Sequence, residues 1–260
     1  MKELENFLNA LDIDNDYHNK IFECEEFEKI YTKINLNQLR KIKRQIYWLS
    51  LLIYRICTVN YVENINDNVN DEKQNIKLER DSFIIFHPIG NVSSELCKQF
   101  KNNFIYSSLI SSLCRQIIEQ ICLIQEIENS NIDERKIIEA SIESYNKQIG
   151  AKTLNIEYLN SNNKGLLKIF NNKTTYGKLA NKWDYGFMYN FFSGDIHTIS
   201  QIDKLIPFSK SYTFYELYLK CVLALLKECL IEVNKYNKYS EIDLDKLNSI
   251  EFINIKGNKK

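Results

Sequence analysis

The chain has 260 residues, 44% of them hydrophobic, and its Lys+Arg and Asp+Glu totals balance at 34 each. So apolar a composition excludes a disordered chain, and zero net charge excludes bulk attraction to nucleic acid or membrane. Any nucleic-acid partner would need a local patch or pocket. With only seven glycines and two prolines, the chain lacks the turn residues that all-β folds demand. The expected fold is an all-α helical bundle, with room for one small β-hairpin.

Residues 3–33 and 35–61 read as an N-terminal helical hairpin. Asn35 is placed to cap the second helix, which carries Leu39, Ile42, Ile46, Leu49 and Ile53 at helical spacing. Its most apolar part, Ile46–Val59, contains Arg55 and falls short of the roughly 20 residues of a membrane span. The acidic, amphipathic start has no apolar signal-peptide core, so no export and no membrane partner are expected. Residues 62–82 are rich in Asn, Asp, Glu and Lys, which predicts a polar linker or loop. The remainder, 83–260, is expected to form the main helical domain, sharing one core with 1–61.

Phe83–Gly90 should be extended or turning, because the residue before Pro88 avoids helix. A helix then starts at Ser93 or Ser94. Residues 104–128 and 132–149 follow as helices, the second with Asp133 near its start and Gly150 at its end. Thr153–Phe170 has the alternation of a short hairpin around Asn160–Gly165. Helix resumes over 175–199 and 211–236, with Pro207 marking the break. Ile250–Lys260 reads as a short strand and a tail.

Seven cysteines, at 24, 57, 97, 114, 122, 221 and 229, form no C-x-x-C pair, and several lie inside apolar runs. That pattern suits free, buried thiols in a reducing cytoplasm rather than disulfides or zinc. No metal and no cofactor are called for.

On a helical wheel of residues 104–128, Ser108, Ser111, Ser112, Arg115, Glu119, Cys122 and Glu126 form one stripe, opposite Leu113, Ile117, Ile121 and Ile124. Arg115 and Glu119 stand four apart and can pair. The bland alternative is a solvated face, yet this stretch of a lysine-rich chain has no lysine. Its small residues suit close approach by another helix, where a partly desolvated arginine is tolerated better than a lysine. Gly186, Asn190, Ser193 and His197 share a face of residues 183–199, with Tyr189 on its flank. The competing reading ends that helix at Ser193-Gly194-Asp195 and makes His197 a turn residue.

The Arg-x-x-x-Glu helix (Arg115, Glu119) and the later Tyr-x-x-x-Ser-x-x-x-His segment (Tyr189, Ser193, His197) resemble a group of helical bacterial proteins of unknown function. Those proteins look like distant relatives of HEPN ribonucleases and abortive-infection proteins. The piece Leu179-Ala180-Asn181-Lys182-Trp183 is also similar, and the likeness covers roughly residues 104–199. It implies a HEPN-like, metal-independent pocket acting on RNA phosphodiesters, in a toxin or an antiphage defence protein. His197 would move the proton of the ribose 2′-OH. Arg115 would stabilise charge on the phosphorane, and Glu119 would orient it. Tyr189, Asn190 and Ser193 would bind substrate. The sequence departs from the family in one respect: arginine and histidine usually share one Arg-x(4–6)-His motif.

One literal match to that motif exists, Arg80 to His87, with the polar Asp81 after the arginine as the family often shows. It leaves the polar linker and meets Pro88, where no helix is expected. His18 sits among charged residues and reads as surface. The run Leu39-Arg40-Lys41-Ile42-Lys43-Arg44 is a local candidate for phosphate contact, or else a solvated face. The alternative to an RNA-acting enzyme is a non-catalytic inhibitor or scaffold, whose small-residue faces bind a protein partner or a second copy.

Overall fold

The structure is a computed structural model that describes residues 36–67, 69–101, 107–150, 166–170, 174–194, 208–239 and 242. All regular structure among these residues is helical. In chain order the helices are α1 (Leu36–Asn66), α2 (Glu72–Asp81), a π-helical turn (Ser82–Phe86), α3 (His87–Lys101), α4 (Ser107–Glu128) and α5 (Glu134–Gly150). They are followed by α6 (Leu167–Phe170), α7 (Tyr176–Lys182), α8 (Gly186–Gly194) and α9 (Phe208–Asn234). The expected helix over 3–33, the cap at Asn35, most of the expected hairpin and the tail from 250 lie outside the described residues. Leu167–Phe170, assigned to that hairpin, is helical.

One hydrophobic core unites α1, the π turn, α3, α4 and α9. The predicted spacing on α1 is the buried spacing: Leu39, Ile42, Ile46, Leu49 and Ile53 all lie inside. The broadest packing is α1 against α3. A side chain at Gly90 would meet Cys57 Cβ at 3.1 Å, so glycine there is what lets the two helices close. All the cysteines described are free, and most are buried. Asn60 anchors the far end of α9: its Nδ2 donates to Asn237 Oδ1 at 2.9 Å and its Oδ1 accepts from the Lys238 amide at 3.0 Å. No helix among the described residues is long and apolar enough to cross a membrane.

Three local expectations are corrected. The linker 62–82 is mostly helical: α1 runs to Asn66, and α2 is capped by Asp71, whose side chain accepts from the Lys73 amide. Its buried Leu78 and Asp81 hold an otherwise polar helix against the bundle. Second, the chain does not extend at Phe83–Gly90 or restart at Ser93. It stays helical from Glu72 to Lys101, with His87 at φ −66, ψ −51. Burial of Ile84, Ile85, Phe86 and Ile89 outweighs the pre-proline preference.

The π turn accommodates the proline, because widening the helix by one residue relieves the clash between the ring and the preceding turn. The His87 amide bonds to Ser82 O, five residues back. Pro88 has no N–H for the carbonyl four residues back, that of Ile84, and the Gln120 side-chain amide donates to it from α4.

Third, helix is broken over 183–185 rather than continuous through 175–199. Asp184 adopts the left-handed conformation (φ 66), and the Tyr185 amide reaches back to Ala180 O at 2.7 Å. This is a Schellman cap, with aspartate in the place glycine more often fills. By contrast, the expected start of α5 is observed: Asp133 Oδ1 accepts from the Arg135 amide at 3.0 Å.

A cleft with a locked arginine beside it

The stripe on α4 is covered by the chain's own helices. Ser111 is buried and shares a 2.8 Å hydrogen bond with the Tyr218 hydroxyl of α9. Glu126 accepts from Lys182 Nζ at 2.6 Å and from Trp183 Nε1 at 3.1 Å. The Leu179–Trp183 segment therefore docks on the same stripe as Arg115, with Leu179 and Ala180 buried beneath it. These intramolecular contacts cover Ser111 and Glu126 of the stripe.

Between these docking points sits the predicted pair. Arg115 Nε donates to Glu119 Oε1 at 2.9 Å. The Tyr189 hydroxyl donates to the same oxygen at 3.1 Å. The guanidinium carbon also stands 4.9 Å from the Tyr189 ring centroid, a cation–π distance. Glu119 is 14% exposed and Arg115 30%, so this is more than the solvated i,i+4 pair of the bland reading. Burial raises the Glu119 carboxyl above its ordinary value, against the opposing pull of Arg115 and the Tyr189 hydrogen bond. Burial and the neighbouring Glu119 push the Tyr189 hydroxyl up to about 12, so it stays a donor.

Both bonds end on Oε1, which leaves Oε2 open among the described residues. Glu119 faces a half-open cleft of about 590 Å³ between α3 and α4, within the roughly 300–1,000 Å³ of small-molecule sites. The α3 wall carries His87, Pro88 and Asn91, and the α4 wall adds Gln116 and Gln120. Phe83 of the π turn and Tyr176 of α7 bring aromatic rings.

His87 thus shares a cavity with Glu119, joining one residue from each of the two rival sequence motifs. Its ring lies 5.4 Å from that of Tyr61, and Nε2 is 3.3 Å from Asn91 Nδ2. Burial lowers its pKa below 6.5 and keeps the ring neutral at pH 7. Nε2 then accepts from the Asn91 amide, and the tautomer with its proton on Nδ1 follows.

Arg80, the other half of the literal motif, is turned to a different task. Its Nη2 and Nε hold Asp81 Oδ1 at 2.7 and 3.0 Å, and Nη1 holds Glu134 Oε1 at 2.8 Å. Arg80 does not line the cleft among the described residues.

Of the other predicted residues, Asn190 is exposed. Ser193 Oγ is buried without a hydrogen-bond partner among the described residues. His197 and His18 lie outside the described residues. Lys43 and Arg44 of the basic run are buried, whereas Arg40 is partly exposed and Lys41 exposed, so the run does not form one solvated basic face. Sequence reading passed over Asn91, Gln116, Gln120 and Tyr176. The available signal was Gln116 and Gln120, one turn apart on the same lysine-free helix. Comparison of the chain with protein-family models, curated proteins and solved structures finds no match.

Proposed function

We propose that the chain is a HEPN-like, metal-independent ribonuclease whose site is the cleft lined by His87 and Glu119, with Arg115 beside it. One observation carries the reading: a neutral, half-buried imidazole shares a cavity with the carboxylate that locks a guanidinium. A proton acceptor and a fixed cation are what transesterification of RNA needs from a protein, because the substrate brings its own nucleophile. His87 Nε2, released by the Asn91 amide when substrate binds, takes the proton of the ribose 2′-OH, and the 2′-oxygen attacks the adjacent phosphorus. The P–O5′ bond breaks, and the imidazolium returns the proton to the departing 5′-oxygen. The products are a 2′,3′-cyclic phosphate and a 5′-hydroxyl end. Arg115 stabilises the charge on the phosphorane, and a fixed donor of this kind costs no reorganisation during the reaction. Glu119 and Tyr189 act through Arg115, holding its side chain in place.

The test compares the full-length wild type with His87→Ala, His197→Ala and Arg115→Ala on single-stranded RNA. His87→Ala should lower the cleavage rate about 10²–10⁴-fold, as expected for a lost acid–base group. Arg115→Ala should lower it about 10²–10³-fold. An effect of His197→Ala alone would move the proton-transfer role to that histidine. Intact RNA with the wild type under all conditions would sink the nuclease reading.

A further inference from the structure

We infer that the cleft is a nucleobase subsite, selective for bases that carry an exocyclic amino group (adenine, guanine, cytosine) over uracil. The inference rests on the RNA reading for its biological setting, though its binding arm does not depend on cleavage. Among the described residues, no lysine or arginine lines the cleft. A phosphate placed inside would meet Glu119 and, among the described residues, no cation, so the inference puts the base in the cleft and the anionic part of a nucleotide outside it.

Beside the amides of Asn91 and Gln116, which can donate or accept, the cleft presents two acceptors of set polarity. Glu119 has Oε2 open, since Arg115 and Tyr189 both use Oε1. Gln120 is the neighbouring residue, and its orientation is settled by chemistry. Only its amide nitrogen can donate to the Ile84 carbonyl, so Oε1 is fixed as an acceptor. Adenine, guanine and cytosine offer an amino group to such acceptors, and amides and carboxylates are established readers of base edges. Uracil offers only its ring N–H, and its carbonyls would face the Glu119 carboxylate. The rings of Phe83 and Tyr176 supply aromatic walls for a flat heterocycle.

Nucleosides, which lack phosphate, isolate this subsite from Arg115. Titration calorimetry with the full-length protein should find adenosine, guanosine or cytidine bound at least about tenfold more tightly than uridine, given one charge-assisted hydrogen bond gained. Glu119→Gln, which can turn an amide N–H toward a uracil carbonyl, should cut that ratio to about twofold or less. Gln120→Met should weaken the amino-bearing nucleosides severalfold, and melting curves would certify that each variant is folded. Uridine binding equal to the others, no nucleoside binding, or preferential binding of a polyamine such as spermidine would each overturn the inference. A wild type that binds nucleosides with this preference but leaves RNA intact keeps the subsite and removes the nuclease reading. One that cleaves RNA as fast after uridine as elsewhere keeps the nuclease and removes the subsite.

Discussion

Two arginine–carboxylate clusters in this molecule use the same residue types for opposite ends. Arg80 grips Asp81, its chain neighbour, and Glu134 at the start of α5, so one guanidinium binds two helices together. Asp81 is 2% exposed, and Arg80 holds it through two nitrogens. Arg115 grips a carboxylate on its own helix, keeps 30% of its side chain exposed, and leaves one oxygen of Glu119, a residue that lines the cleft, without a partner among the described residues. A charge cluster whose members satisfy one another between elements is a fastener. One that is locked in place yet keeps a polar atom free beside a cavity is available for chemistry.

That contrast can be broken first at Arg80. Arg80→Met strands the buried Asp81 carboxylate and should cost about 3–5 kcal/mol, read from urea unfolding. The RNA cleavage of the molecules that remain folded should be unchanged. A loss below about 1 kcal/mol would mean that the fastener does not fasten.

Gly90→Val is the next largest. Its added carbon must push against Cys57 where the gap is only 3.1 Å, and overpacking of this kind costs about 1–3 kcal/mol. This change should leave both arginine clusters intact.

Tyr189→Phe removes one hydrogen bond to Glu119 and should cost about 0.5–1.5 kcal/mol in thermal unfolding. Its larger effect should be on cleavage, through a less well-held Arg115. A stability loss with unaltered cleavage would place the Arg115 cluster in the fastener class as well.

The smallest effect is in the pH dependence. Burial raises both Asp81 and Glu119, so each favours folding more in its protonated form. That contribution is complete below the ordinary values of 3.8 and 4.5 and is lost as pH rises through the folded values. His87 runs the other way. Its lowered pKa gives stability that is present above 6.5 and lost as pH falls through the folded value. His87→Gln should therefore flatten any fall in the urea midpoint just below pH 6.5. In the wild type, the acid limb of kcat/KM should lie below 6.5.

How much of this was legible in the sequence depended on whether the signal was local. Periodicity located α4, α5 and α9, and Asp133 announced the start of α5. The i,i+4 spacing of Arg115 and Glu119 gave the pair, whereas Tyr189, expected to bind substrate, donates to Glu119, so that both bonds end on one oxygen. What failed were cases where tertiary burial overrode local chemistry. The polar α2 is helical because Leu78 and Asp81 are buried, and Pro88 is tolerated because a π turn and Gln120 accommodate it. Lys43 and Arg44 face inward, contrary to what a basic run suggests. The amide-lined cleft was invisible, since its walls come from helices that meet only after folding.

The π turn has a further consequence, for how this region can change by insertion and deletion. One surplus residue inside an otherwise continuous helix advances every following side chain by about 100° of rotation. Deleting a single residue among 82–86 would restore an ordinary helix and swing His87 and Asn91 about a quarter turn away from the α4 wall, while Arg80 and Asp81 stayed where they are. The positions of the fastener and the cleft along one rod are thus phased by a single codon, and relatives of this chain should tolerate substitutions there far better than a change of length.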